Sequence, residues 1–326
     1  MIWFYFFGSA VIIVFAATQL AKYGDVIAVR TKLGGLFIGV LLLAGATSLP
    51  EVLTSISSVK LESPNLAAGN LLGSNAFNML LLAVIDIANH NGRVLRKAAI
   101  RHALSGSLSI FMIALVLFFI LADIDLSIGW FGIDSFVIIL FYIVAMGLIQ
   151  NHQAYPVKTS EPEAVAQGTP GLVKAIIGFV IASGVLVLVT PVMVKNANAI
   201  AAETGLGATF IGTTLVALVT SLPELVTTLA AIKIGANDMA IGNLFGSNMF
   251  NMFAVGLTDL FYTNGRFLSA IDPSFTLIAA LGLIMTCVGL VGNLVKLEKR
   301  LWILEIDAAL LVLIYFGGMW LLYIKG

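Results

Sequence analysis

The chain has 326 residues, 60% of them hydrophobic and 10% charged, with a formal net charge of zero and a mean hydropathy of +1.06. Soluble domains carry about 25% charged residues, so this composition excludes a single soluble core and reads as a polytopic membrane protein. The charge balance points to no nucleic acid, and the lone cysteine, Cys287, excludes an intramolecular disulfide or a cysteine metal site.

In chain order, apolar stretches long enough to span a bilayer fall at roughly 2–21, 33–59, 66–89, 100–122, 127–150, 171–194, 205–232, 239–262, 273–294 and 302–324. The first, "MIWFYFFGSAVIIVFAATQLAK", has no basic leader and no clear cleavage site, and is taken as a membrane helix rather than a signal peptide. The polar, proline-bearing interval "NHQAYPVKTSEPEAVAQGTPG" (151–171) is too short for a soluble domain and is expected to be a cytoplasmic linker, 151–170. It divides the chain into halves 1–150 and 171–326 of five spans each. With the N-terminus outside, 13 basic residues fall in cytoplasmic loops and four outside (Lys60, Lys195, Arg266 and Lys325). That bias predicts that both termini face outward, in the plasma or inner membrane.

Adding 173 to the residue number superposes the halves without a gap from residue 47 to residue 93, with 21 identities in 47 positions. "TSLPE" (47–51) falls on "TSLPE" (220–224), "GNLLGSNAFNM" (69–79) on "GNLFGSNMFNM" (242–252), Asp86 on Asp259, and "NGR" on "NGR". The motif blocks are 44–93 and 217–266. Five helices per half is an odd number, so the second copy must enter the membrane from the opposite face. The expected fold is an all-α membrane protein of ten transmembrane helices in two inverted five-helix repeats, a plan typical of secondary transporters with a midplane site.

Pro50 and Pro223 should break helices 2 and 7, each removing an amide donor and clashing with the carbonyl four residues earlier. Carbonyls near Ala44, Ala46 and Thr47, and near Ala217, Val219 and Thr220, then lose regular partners. Such groups are tolerated in a bilayer only if something else satisfies them. One proline alone would read as an ordinary kink; two at equivalent places, each after Thr-Ser and before Glu, point to a cation site. Glu51 and Glu224 lie near the middle of their spans, where an ionised carboxylate needs a cation, a proton or a basic partner. No Lys or Arg lies deep in any span.

Helical spacing puts Thr47, Ser48 and Glu51 on one face, and likewise Thr220, Ser221 and Glu224. Ser74 and Asn78 are i, i+4 on the next helix, as are Ser247 and Asn251 in the second copy. A set of carboxylates, hydroxyls, amide oxygens and freed carbonyls, without His or Cys, suits hard cations such as Ca²⁺ or Na⁺. The pairs Gly69/Gly73 and Gly242/Gly246 read as close-contact glycines. Asn70 and Asn243 divide between helix–helix contact and direct ligation. Asp86 and Asp259 read as capping groups near helix ends. Asp123, Asp125, Asp134, Glu305 and Asp307 receive no function, and His90, His102 and His152 are expected in solvated loops.

The paired "TSLPE" and "GN..GSN..N" segments resemble the two α-repeats of the sodium/calcium exchanger family, within the calcium/cation antiporter superfamily. The motif-dense part covers about 94 residues. The resemblance implies a site between helices 2, 3, 7 and 8 where Ca²⁺ competes with Na⁺, with Glu51 and Glu224 as the central metal-binding acids. It implies Thr47 and Thr220 as further calcium-binding residues. For sodium it implies Ala44, Thr47, Ser48, Glu51, Ser74, Asn78, Ala217, Thr220, Ser221, Glu224 and Ser247, with Asn251 as an additional candidate. In some members an aspartate stands at the place of Asn251, potassium-dependent exchangers among them; asparagine in both copies favours the potassium-independent type. Thr-Ser before Pro-Glu, where proton-coupled members show Gly-Asn, favours sodium coupling. The family also implies that helices 1 and 6 slide across the rest. The expectation is Na⁺/Ca²⁺ antiport by alternating access, not an enzyme, with no cofactor and no obligatory protein partner. The alternatives are a Ca²⁺/H⁺ antiporter and a cation channel.

Overall fold

The structure, a computed structural model, describes residues 1–30, 45–88, 94–152, 170–233, 237–294, 300–301 and 304–325. Ala44 and the rest of 33–44 in the second expected span, the first "NGR" with His90, and nearly all of the linker lie outside the described residues.

The first half contains α1 (Ile2–Arg30), α2 (Leu49–Lys60), α3 (Pro64–Ala88), α4 (Val94–Ala122) and α5 (Ile133–His152). The second begins with α6 (Leu172–Thr204), α7 (Gly207–Ile211), a π-helical turn (Gly212–Val216), α8 (Ala217–Thr220) and α9 (Leu222–Lys233). It continues with α10 (Asn237–Asp259), α11 (Phe267–Ala270), α12 (Phe275–Leu294) and α13 (Ile306–Lys325). Eight helices among the described residues are long and apolar enough to cross a membrane. α10 has the length, 23 residues, but its repeated asparagines and serine make it the most polar of the long helices. α2, at 12 residues, follows the break in the second span, whose described part begins at residue 45.

The all-α expectation needs one small correction. Two-residue strands β1 (Ser127–Ile128) and β2 (Phe131–Gly132) pair antiparallel, as do β3 (Arg300–Leu301) and β4 (Leu304–Glu305). In the first pair Gly129, at φ +68°, supplies the left-handed residue such a tight hairpin needs.

These ribbons also lengthen the internal repeat. β1 and β2 fall on β3 and β4 at the same offset of 173, and the starts of α5 and α13 coincide. Asp134 and Asp307 are therefore equivalent residues, which their sequence surroundings conceal. One place departs from the register: α4 runs unbroken, whereas its counterpart stops as α11 and resumes as α12. Pro273 lies in the gap, where it removes a donor and disfavours helical dihedrals at Asp272.

Packing sorts the helices by depth. The apolar stretch of α3 is 94% buried, that of α6 only 17%, so α3 is central and α6 peripheral. α3 and α10 pack on each other, α3 also against α12 and α10 against α4, and α4 and α12 on one another. α1 and α6 lie along one another through Phe6, Ala10, Ile13 and Ala17 on one side and Ala182, Leu186 and Val194 on the other. Their outer faces show Phe4, Phe15, Ile181 and Leu188. Lipid tails are as apolar as these side chains, so exposure there costs nothing.

Close approach is specified by glycine. A Cβ at Gly69 would stand 2.7 Å from the Thr213 amide nitrogen, and one at Gly73 would stand 2.6 Å from the Thr213 carbonyl oxygen. The π-helical turn thus sits directly on α3. Gly242 makes room for the imidazole of His102, 2.9 Å from a would-be Cβ. His102 is therefore not a solvated loop residue: it lies on α4 and is buried.

Candidate cation site

The two proline segments break in the same way. Residues 45–47 are helical, Ser48 adopts φ −90°, ψ 7°, and α2 starts at Leu49. In the second copy α8 ends at Thr220, Ser221 adopts φ −89°, ψ 2°, and α9 starts at Leu222. Pro50 and Pro223 are each the second residue of the new helix, where a missing amide hydrogen removes no intrahelical bond. Each proline therefore starts a helix in the interior, and Glu51 and Glu224 occupy its first turn. The partial positive charge of a helix N-terminus favours a carboxylate there. The break is narrow: Ser221 N still donates to Ala217 O at 3.0 Å, and Val52 N to Ser48 O at 3.3 Å. Of the expected carbonyl ligands, Ala217 O is thus already an acceptor.

Packing brings the two glutamates together. Both are buried, and the hydrogen bonds that cross between the halves set them side by side. Each is held by the serine of the other half. Ser48 Oγ donates to Glu224 Oε1 at 3.0 Å, and Ser221 Oγ donates to Glu51 Oε1 at 3.2 Å. Ser247 Oγ approaches Glu224 Oε1 at 3.5 Å. Thr47 and Thr220 are buried beside the breaks, and Thr220 Oγ1 donates to Asn70 Oδ1 at 2.8 Å.

The opposite oxygens are left over. Glu51 Oε2, Glu224 Oε2, Ser74 Oγ, Asn78 Oδ1 and Asn251 Oδ1 are buried without a hydrogen-bond partner among the described residues. Such groups are rare in folded proteins because each forfeits its hydration without replacement. Among the described residues no group of three or more His, Cys, Asp or Glu side chains is placed to hold a metal ion. The set offers two carboxylates and neutral oxygens, the donor chemistry of a hard cation.

Asn70 joins the two broken segments. Its Nδ2 donates to Glu51 O at 2.8 Å and Ser55 Oγ at 2.9 Å, while its Oδ1 accepts from Thr220 Oγ1 at 2.8 Å. All its hydrogen-bonding groups are engaged in contacts between segments. Asn243 differs: its Nδ2 reaches Thr227 and Thr228 Oγ1, both at 3.3 Å, and its Oδ1 has no partner.

Sequence reasoning passed over Asn75 and Asn248, although both stand inside the repeated motif. Asn78 Nδ2 donates to Asn248 Oδ1 at 2.9 Å, and Asn251 Nδ2 donates to Asn75 Oδ1 at 3.1 Å. The i, i+4 rule selected Ser74 and Asn78 on one helix face. Asn75 looks across to α10, which no spacing within α3 reveals.

Away from the site, the aspartates brace the ends of the helices. Asp259 Oδ2 accepts from Gly132 N at 2.8 Å and its Oδ1 from Phe267 N at 2.6 Å. Arg266 pairs with Asp123 at 2.7 Å, Asp134 at 3.2 Å and Asp125 at 3.4 Å. The capping role expected for Asp259 matches these bonds. The acids left without a role, Asp123, Asp125 and Asp134, serve the same junction.

A family model described as sodium/calcium exchanger protein matches residues 1–149 and 174–324. Inner membrane protein YrbG of Escherichia coli (strain K12) is 30% identical over 250 residues, covering 75% of this chain and 74% of YrbG. Sodium/calcium exchanger MaX1 of Methanosarcina acetivorans is 26% identical over 298 residues, covering 77% of this chain and 81% of MaX1. Among solved structures, the sodium-calcium exchanger NCX_Mj soaked with Na⁺ and Sr²⁺ shares the fold, with a TM-score of 0.58 at 24% identity over 98% of this chain and 99% of that one.

Proposed function

This chain belongs to the sodium/calcium exchanger protein family, a family of membrane-embedded cation antiporters, and from that premise we propose that it exchanges Na⁺ for Ca²⁺ by alternating access. The reading includes ten membrane helices in two inverted repeats, both termini outside, and potassium-independent transport without a cofactor. One observation carries it: Glu51 and Glu224 are buried together, each held at Oε1 by the serine of the opposite half, each with Oε2 unpartnered.

In this reading Ca²⁺ satisfies the free Oε2 atoms of both glutamates, with Thr47 and Thr220 completing its ligands. Sodium ions neutralise the same charges collectively. They spread onto Ser48, Ser74, Asn78, Ser221 and Ser247, with Ala44, Ala217 and Asn251 as outer ligands. The site without ions keeps two desolvated carboxylates, which resist passage between the inward and outward states. Exchange is then obligatory, since a cation must occupy the site for either transition. The test is ⁴⁵Ca²⁺ uptake into proteoliposomes under imposed sodium, proton or potassium gradients. Uptake driven by an opposing sodium gradient is expected. Uptake that follows pH and ignores sodium would replace this reading with Ca²⁺/H⁺ antiport, and flux without any counter-ion would indicate a channel.

A further inference from the structure

Asn75, Asn78, Asn248 and Asn251 face one another in two amide pairs between α3 and α10, equivalent by sequence but not by hydrogen bonding. Asn78 Nδ2 donates to Asn248 Oδ1, and Asn248 Nδ2 in turn lies 3.5 Å from both Asn75 O and Thr286 Oγ1. Turning the Asn248 amide over would set its oxygen against the Asn75 carbonyl oxygen. Asn248 therefore has one favoured orientation, Asn78 Nδ2 is committed to it, and Asn78 Oδ1 is the end left free. In the other pair Asn251 Nδ2 donates to Asn75 Oδ1, but Asn75 Nδ2 has no partner. The residue 173 before Thr286 is Ile113, buried and without a polar side-chain atom. Beyond the bond from Asn251, no hydrogen bond among the described residues fixes the Asn75 side-chain amide in one sense.

Taking Glu51 and Glu224 as the cation site, we propose that Asn75 is a positioning residue that determines which atom of residue 251 is offered to the cation, through an amide that can face either way. With its oxygen toward α10 it holds the Asn251 Nδ2 and leaves Asn251 Oδ1, a neutral ligand, free. With its nitrogen toward α10 it would hold an aspartate at 251, turning that position into a third carboxylate with a higher demand for positive charge. When residue 251 presents an oxygen, reversal exchanges one donor–acceptor pair for another and forfeits no hydrogen bond. The ion preference of the site then depends on residues 75 and 251 jointly.

The experiment is a calorimetric Ca²⁺ titration of the purified full chain in detergent, with Na⁺ and K⁺ as competitors. It compares wild type with Asn75→Asp, Asn75→Leu, Asn251→Asp and the double variant Asn75→Asp/Asn251→Asp. Asn75→Leu is expected to weaken Ca²⁺ binding at least tenfold more than Asn75→Asp, because a carboxylate still accepts from Asn251 Nδ2. A residue that only filled space would rank the other way, since a buried carboxylate costs more than a leucine. In the double variant two carboxylates face each other with no donor between them. Its loss should exceed the product of the single effects at least tenfold. Single effects that multiply to within twofold, or Asn75→Leu no worse than Asn75→Asp, would overturn the role of Asn75. If the double variant does not fold, the two single substitutions at 75 decide alone. Wild-type chain that binds neither Ca²⁺ nor Na⁺ would instead remove the cation-site reading itself.

Discussion

In the proposed exchange Glu51 and Glu224 are the residues that meet the cation, and the bonds around them tie each to the opposite half. Each carboxylate is oriented by a hydroxyl from the opposite copy, Ser221 for Glu51 and Ser48 for Glu224. Hydrogen bonds to charged groups contribute about 1.5–3 kcal/mol, and these pin Oε1 while Oε2 stays without a hydrogen-bond partner among the described residues. Glu51→Gln and Glu224→Gln keep the shape but remove one negative charge each. Both are expected to lower sodium-driven Ca²⁺ uptake at least a hundredfold while leaving the protein monodisperse in detergent. Uptake within tenfold of wild type in either variant would place the site elsewhere. Ser48 and Ser221 were legible in the sequence as helix-face neighbours of a glutamate, but of their own glutamate. That each serves the other one follows from how the halves pack.

Among elements, the contact between α3 and the π-helical turn Gly212–Val216 controls how near helix 7 comes to the site. Gly69 and Gly73 meet the backbone of Thr213, not a side chain that could move aside. Gly73→Leu should therefore displace the turn, and overpacking of this kind costs about 1–3 kcal/mol or more. A lowered thermal midpoint in detergent together with weaker Ca²⁺ binding is expected; a midpoint equal to wild type would show that the contact can yield. At the far end of α10, Asp259 receives two backbone amides, Gly132 N and Phe267 N. An amide side chain has one acceptor atom, so Asp259→Asn leaves one buried donor unpaired, at about 1–3 kcal/mol. This variant should melt earlier yet keep its ion preference, which a competition titration with Na⁺ and Ca²⁺ would check. The small-xxx-small glycines were readable from spacing, and the capping role of Asp259 from its place near a helix end. The π-helical turn was not, because no residue in "GTTLV" prescribes one; it forms where helix 7 is pressed against α3.

At the scale of the whole molecule, α1 and α6 form a peripheral pair around a bundle built on α3, α10, α4 and α12. Polar contacts tie α6 to the bundle. Ser57 Oγ and Thr190 Oγ1 are 3.2 Å apart, and Asn198 Nδ2 donates to Ser63 Oγ at 2.5 Å. If the pair slides during transport, a covalent link at the first contact should stop it. Ser57→Cys/Thr190→Cys, in a chain with Cys287 replaced by serine, is expected to slow exchange at least tenfold on oxidation and to recover on reduction. Full exchange by the cross-linked form would mean that this junction stays fixed.

The sequence by itself determined the membrane character, the repeat at 173 residues, the two proline breaks and the oxygen-bearing side chains that flank each glutamate. Those features are local, written as composition, as identity at an offset, or as neighbours three and four apart on one helix. Only the tertiary structure decided that Ser48 serves Glu224, that Asn70 joins the two breaks, that Asp134 answers Arg266, and that Asn75 sits opposite Asn251. The partners in these pairs are 132 to 176 residues apart. Helical periodicity shows which face of an element is polar but not which face of which other element it meets. That choice belongs to the packing of one half against the other, where small residues let the helices close and bring side chains far apart in sequence within hydrogen-bonding distance.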